Sequence, residues 1–110
     1  MLDLSSLSML NLNEQDLALV KSILHKNIPQ CEVRVFGSRN QGIVKPHSDL
    51  DLAICSKDKL DKKVIYQLQE DFADSDLTFR VDIVDWSRIS EEFKQIILKN
   101  YQVIQSPQEL

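Results

Sequence analysis

Two aspartates, Asp49 and Asp51, stand one residue apart in the run Ser48-Asp49-Leu50-Asp51-Leu52-Ala53-Ile54. On an extended chain, residues two apart point to the same face. The two carboxylates then stand side by side, about 7 Å apart at Cα. Leu50, Leu52 and Ile54 are left to anchor the opposite face in a core. Adjacent carboxylates repel each other unless a cation lies between them, and aspartate is a poor strand former, so the pair needs a reason. Oxygen-only donors suit Mg²⁺, which takes one or two carboxylates and completes its shell with water and phosphate. The same spacing also occurs on solvent-facing strand edges, so the pair alone does not decide the chemistry. The glycine and distal glutamate of an EF-hand calcium loop are absent.

Asp82 extends the set. It lies in Arg80-Val81-Asp82-Ile83-Val84-Asp85, a second strand-like run. If this strand neighbours the first, Asp82 closes a cluster of three carboxylates. Such a cluster can hold two Mg²⁺ ions about 3.5–4 Å apart, one activating a nucleophile and one holding a triphosphate. Asp85, three residues on, faces the other way and reads as a cap or surface residue ahead of the next helix. Arg80 shares the face of Asp82 and reads as its salt-bridge partner, with a phosphate contact as the alternative.

Gly37-Ser38 follows another strand-like run directly. A glycine lets the backbone approach a ligand closely. The turn's N–H groups and the Ser38 hydroxyl can hold phosphate oxygens. Arg39 adds a fixed positive charge suited to a phosphate or a carboxylate. Neither a Walker loop nor a GxGxxG fingerprint is present. The spacing carries more than the tripeptide does: ten residues, Arg39 to Ser48, separate Ser38 from Asp49. One strand ends in a phosphate turn, the chain returns, and the next strand opens with metal ligands. A triphosphate placed between them meets the needs of phosphoryl-group chemistry, which depends on positioning and charge neutralisation.

The elements that must hold these groups are readable from periodicity. Asn13 caps a helix in which Leu17, Val20, Leu24 and Ile28 recur at helical spacing. Residues 32–36 form a strand, residues 49–55 a second, and residues 81–84 the centre of a third. A helix from Ser56 or Lys57 to Phe72 buries Val64, Ile65, Leu68 and Phe72. Lys57, Lys59, Lys62 and Lys63 mark its solvated start. A third helix, capped by Ser87 or Ser90, turns Ile89, Phe93, Ile96 and Ile97 inward, and residues 101–104 form a short last strand. This order predicts an α/β (α+β) domain, a small mixed sheet with helices packed on it. His25 reads as a surface residue, His47 as a loop residue, and Trp86 and Phe93 as core or interface residues.

The bulk properties are consistent with this. At 110 residues, 43% of them hydrophobic, the chain is expected to be one globular domain with its core from about residue 13 to 104. Thirteen basic against seventeen acidic residues leave a net charge of −4, which argues against direct nucleic-acid binding. Cys31 and Cys55 match no zinc or redox spacing and read as free thiols in or near the core of a reduced protein. The first twelve residues have neither a basic region nor a long apolar run, and no stretch is long enough to span a membrane. The expected location is cytoplasmic.

Gly37-Ser38-x10-Asp49-x-Asp51, with the later Asp82, resembles the signature of the DNA polymerase β-like nucleotidyltransferase superfamily. The fuller runs Phe36-Gly37-Ser38-Arg39-x-x-Gly42 and Ser48-Asp49-Leu50-Asp51-Leu52-Ala53 look like its minimal branch, MNT, and the resemblance covers residues 13 to 104. It implies a polymerase β-like nucleotidyltransferase fold and Mg²⁺-dependent transfer of a nucleoside monophosphate, AMP from ATP, with release of pyrophosphate. By position, Asp49, Asp51 and Asp82 would be the catalytic metal ligands, and Asp82 also the candidate base. Gly37, Ser38 and Arg39 would bind the nucleotide together with Asp49 and Asp51. Minimal members are often paired with a helical HEPN-type protein. In several pairs that partner is a toxin ribonuclease, and the nucleotidyltransferase is the antitoxin that adds AMP to a partner tyrosine. The resemblance thus implies a hetero-oligomer with a HEPN partner and also admits a homodimer. The alternatives are a non-catalytic subunit that neutralises or scaffolds the partner, and an aminoglycoside-type small-molecule nucleotidyltransferase.

Overall fold

A computed structural model describes residues 12–37 and 49–108. Helix α1, Glu14–Asn27, begins where Asn13 Oδ1 accepts the Asp16 N–H at 2.7 Å. Glu14 and Asp16 in its first turn favour the positive end of the helix dipole. Strand β1, Glu32–Phe36, alternates strictly, with Val33 and Val35 buried and Glu32, Arg34 and Phe36 turned the other way. Strand β2 is Leu50–Cys55, helix α2 Lys62–Ala73, strand β3 Val81–Asp85, helix α3 Glu91–Lys99 and strand β4 Gln102–Gln105. A single 3₁₀ turn, Trp86–Arg88, joins β3 to α3.

The four strands form one mixed sheet in the order β3-β2-β1-β4. β1 pairs antiparallel with β2 and with β4, while β2 and β3 run parallel. A parallel pair cannot be joined by a tight turn and needs a crossover, which α2 supplies. Val33, Val35, Leu50, Leu52 and Ile54 meet Val20, Leu24, Leu68 and Phe72 of α1 and α2 in the main core. The other face carries Asp51 and Asp82, and α3 reaches it where the Phe93 ring meets Phe36 edge-on at 5.7 Å. Among the described residues, no helix is long and apolar enough to cross a membrane.

Several boundaries differ from the sequence reading. α2 starts at Lys62, because the Asp61 carboxylate caps it by accepting the Lys63 N–H at 2.9 Å. Lys57 and Lys59 therefore lie in the connection, where Leu60 tucks into the core and its carbonyl accepts from Arg88 at 3.3 Å. Ser90 caps α3, and Ile96 points outward, 63% exposed. The buried side of this short helix is centred on Phe93 and Ile97, four residues apart, with Lys94 reaching over Trp86. β4 begins one residue later than expected, at Gln102. Cys31 is buried and Cys55 half-buried, both free, and burial pushes both thiols up.

Two polar ties lock the elements. Gln105 Nε2 donates to the carbonyls of Ile28 at 2.8 Å and Cys31 at 2.9 Å, pinning β4 to the α1–β1 turn. Asn27 Nδ2 donates to Asp71 at 2.9 Å across α1 and α2, and Gln67 donates to the other oxygen at 2.9 Å. These bonds, with Lys26 nearby, hold the Asp71 carboxyl below its usual range. A depressed carboxyl stabilises the fold above its unfolded pKa, and that contribution is lost as pH falls through the lowered value. Replacing Gln105 with Ala is expected to cost about 1–3 kcal/mol in denaturant melts. Asn27→Ala is expected to return the Asp71 titration, followed by carboxyl NMR, toward the ordinary range. The variant then loses less stability than the parent on acidification through that window.

Candidate active site

The sheet register brings the two aspartate runs together. Asp51 on β2 lies directly opposite Asp82 on β3 and opposite Phe36 on β1. Asp51 and Asp82 thus share one face at one level of the sheet. Asp49 sits one residue ahead of β2 and is exposed at the strand mouth. The Leu50 N–H, between the two aspartates, donates to the Arg80 carbonyl at 2.9 Å and ties the openings of β2 and β3. Leu50 itself is fully buried. Apolar residues alternating with aspartates therefore fix where each carboxylate stands.

Burial pushes the Asp51 carboxyl up, and the charges of Asp82 and then Asp49 push it further, with Arg80 pulling against them. Asp51 thus feels the charge of both Asp82 and Asp49. Arg80 Nε donates to Asp82 Oδ1 at 2.8 Å and Nη2 lies 2.8 Å from the same oxygen, the salt bridge read from the sequence. Among the described residues, no three His, Cys, Asp or Glu side chains converge closely enough to enclose a metal ion as they stand. The donor chemistry nonetheless fits Mg²⁺. The groups are carboxylate oxygens at one strand mouth, and their accumulated negative charge is what a divalent cation relieves.

Gly37 ends β1 against this cluster. Its φ of +81° lies in the left-handed region that favours glycine. A Cβ there would collide with Asp51 Oδ2 and stand 3.3 Å from Asp51 Cγ. The bare backbone of Gly37 and the Asp51 carboxylate therefore occupy adjoining space. Ser38, Arg39, Gly42, His47 and Ser48 lie outside the described residues.

Asp85 does not join the site. It faces the helical side, is buried, caps the 3₁₀ turn through the Ser87 N–H at 3.0 Å and pairs with Arg88 at 3.0 Å. The sequence reading did not single out Arg34. Its guanidinium lies 4.7 Å from the Trp86 ring centroid and 4.9 Å from that of Tyr101, and it pairs with Glu32 at 2.6 Å. Its position in mid-strand, two residues from an opposite charge, was the available signal. The stack covers the face one step along the sheet from Asp51, since Arg34 is in register with Ala53. Gly37→Ala is expected to destabilise the protein by about 1–3 kcal/mol. Beyond that, it should displace the Asp51 carboxylate, visible as a shift of its carboxyl NMR resonance.

Residues 19–110 match the family model described as polymerase beta, nucleotidyltransferase. A probable protein adenylyltransferase, MntA of Haemophilus influenzae, is 46% identical over 102 residues, covering 93% of this chain and 90% of its own. A crystal structure of a toxin–antitoxin with AMP-PNP superposes with a TM-score of 0.71 at 29% identity, covering 84% of this chain and 75% of that one. A tri-AMPylated Shewanella oneidensis HEPN toxin in complex with MNT antitoxin gives 0.64 at 25% identity, covering 82% and 69%. The family model spans the sheet and the aspartates together, and the near-half identity to MntA runs through the same segment. The chain is a nucleotidyltransferase of the polymerase β family.

Proposed function

We propose that this protein is the antitoxin of a toxin–antitoxin pair and transfers AMP from ATP to a tyrosine of a helical HEPN-type partner, with Mg²⁺ as cofactor. The observation that carries the reading is the cross-strand pair Asp51–Asp82 with Gly37 against Asp51. The likeness to a protein adenylyltransferase and to an AMPylated HEPN complex supports the acceptor class.

In this reading the phosphate turn at Gly37, with Ser38 and Arg39, holds the triphosphate through backbone N–H groups, a hydroxyl and a guanidinium. The absent side chain at Gly37 leaves the phosphates room beside Asp51. Asp49, Asp51 and Asp82 would hold Mg²⁺, which supplies charge neutralisation on phosphate oxygens and acidifies a bound nucleophile. The tyrosine oxygen attacks the α-phosphorus in line. The new P–O bond forms as the bond to the β-phosphate bridging oxygen breaks, and pyrophosphate leaves. Asp82 takes the phenolic proton.

The test is intact-mass measurement of the partner protein after incubation with this protein and MgATP, with Asp51→Asn beside it. The partner is expected to gain one or more AMP units. Asp51→Asn should lower the rate at least about a hundredfold while still binding the partner. A partner left unmodified but neutralised equally by both proteins would replace catalysis with binding alone.

A further inference from the structure

Arg80 is the one element of the carboxylate cluster that the proposed transfer does not use. Its backbone is fixed, because its carbonyl accepts from Leu50 at the shared mouth of β2 and β3. Its side chain is 74% exposed, yet both Nε and Nη2 close on a single oxygen, Asp82 Oδ1. Asp82 is itself 36% exposed at the side chain. The guanidinium therefore neutralises an accessible carboxylate that is free to take other cations. Its charge also reaches Asp49 and Asp51. An exposed ion pair of this kind is weak and exchanges readily. A guanidinium beside a polyphosphate has a stronger option, because phosphate oxygens offer it bidentate, charge-assisted hydrogen bonds.

We infer that Arg80 is a built-in counter-cation that competes with the divalent metal for Asp82 and yields it when a nucleotide's phosphates draw the guanidinium away. The inference rests on the nucleotidyltransferase reading of the three aspartates. The anchored backbone and exposed side chain permit this exchange without moving the strands. The consequence is coupling. Metal alone must displace Arg80 from Asp82, whereas metal arriving with a triphosphate meets a vacated carboxylate. By linkage, the nucleotide then raises metal affinity by the same factor as the metal raises nucleotide affinity.

The experiment titrates Mn²⁺, followed by its electron paramagnetic resonance signal, into the full chain with and without a non-hydrolysable ATP analogue. Wild type, Arg80→Met, Arg80→Lys and Asp51→Asn are compared. Arg80→Met is expected to bind Mn²⁺ about tenfold more tightly without nucleotide, the effect of removing one positive charge beside a divalent ion at solvent-like screening. The enhancement produced by the analogue should shrink by a similar factor. Arg80→Lys, which keeps the charge, should stay near wild type. Unchanged or weaker Mn²⁺ binding in Arg80→Met overturns the inference. A loss of Mn²⁺ binding in Asp51→Asn, alongside that result, leaves the metal-site reading standing. Mn²⁺ binding unaffected by Asp51→Asn overturns the metal-site reading itself, and the inference with it.

Discussion

Negative charges held against one another are the constraint on which this structure depends. Asp51 is half-buried, faces Asp82 across a strand pair and feels Asp49 two residues away. A chain left to minimise its energy would separate these groups. Here the separation is prevented by what lies behind them. Leu50, Leu52 and Ile54 alternate with the aspartates and are fully buried, so a shift by one residue would expose the apolar set and bury the charges. The core thus enforces an arrangement that the carboxylates themselves oppose. The parallel pairing of β2 with β3 is part of that enforcement, since it sets Asp51 and Asp82 level with each other.

The two faces of the sheet divide the labour. One is covered by α1 and α2 and supplies the main hydrophobic core. The other is covered at one end by α3 and the Arg34 stack and carries the aspartates at the mouth of β2 and β3. Phe36 links the two ends, opposite Asp51 in register and against the Phe93 ring of α3. Gly37 follows at once, where a positive φ and a missing side chain let the chain leave the sheet beside a carboxylate. The charged cluster thus lies at the edge strand β3 and its neighbour β2, with the Phe36–Phe93 contact on the β1 side of it.

How far the sequence foretold this depended on the range of the interactions concerned. The alternation in residues 50–54, the caps at Asn13 and Ser90 and the glycine at position 37 are local, and each was readable from its neighbours. The adjacency of Asp51 and Asp82 was readable only as a condition on strand order, because nothing within either run specifies its partner. The start of α2 was misplaced because residues 56–60 carry helix-compatible types, while the Asp61 cap and the burial of Leu60 decide the boundary. Ile96 was turned inward in the sequence reading because it fits an apolar stripe. In the fold, the short helix meets the sheet through Phe93 and Ile97, and Ile96 is left outside. The Arg34 stack draws Trp86 and Tyr101 from separate connections, so no window of sequence contained it.

That stack gives the chain a natural optical probe. Trp86 is its single tryptophan. The indole lies against a guanidinium contributed by β1, at the exit of β3, with the Lys94 ammonium of α3 5.8 Å away. Its emission therefore depends on segments that meet only once the sheet has closed around β1. Fluorescence from this one residue reads assembly of the sheet face beside the aspartates, with no label attached and no competing indole to subtract.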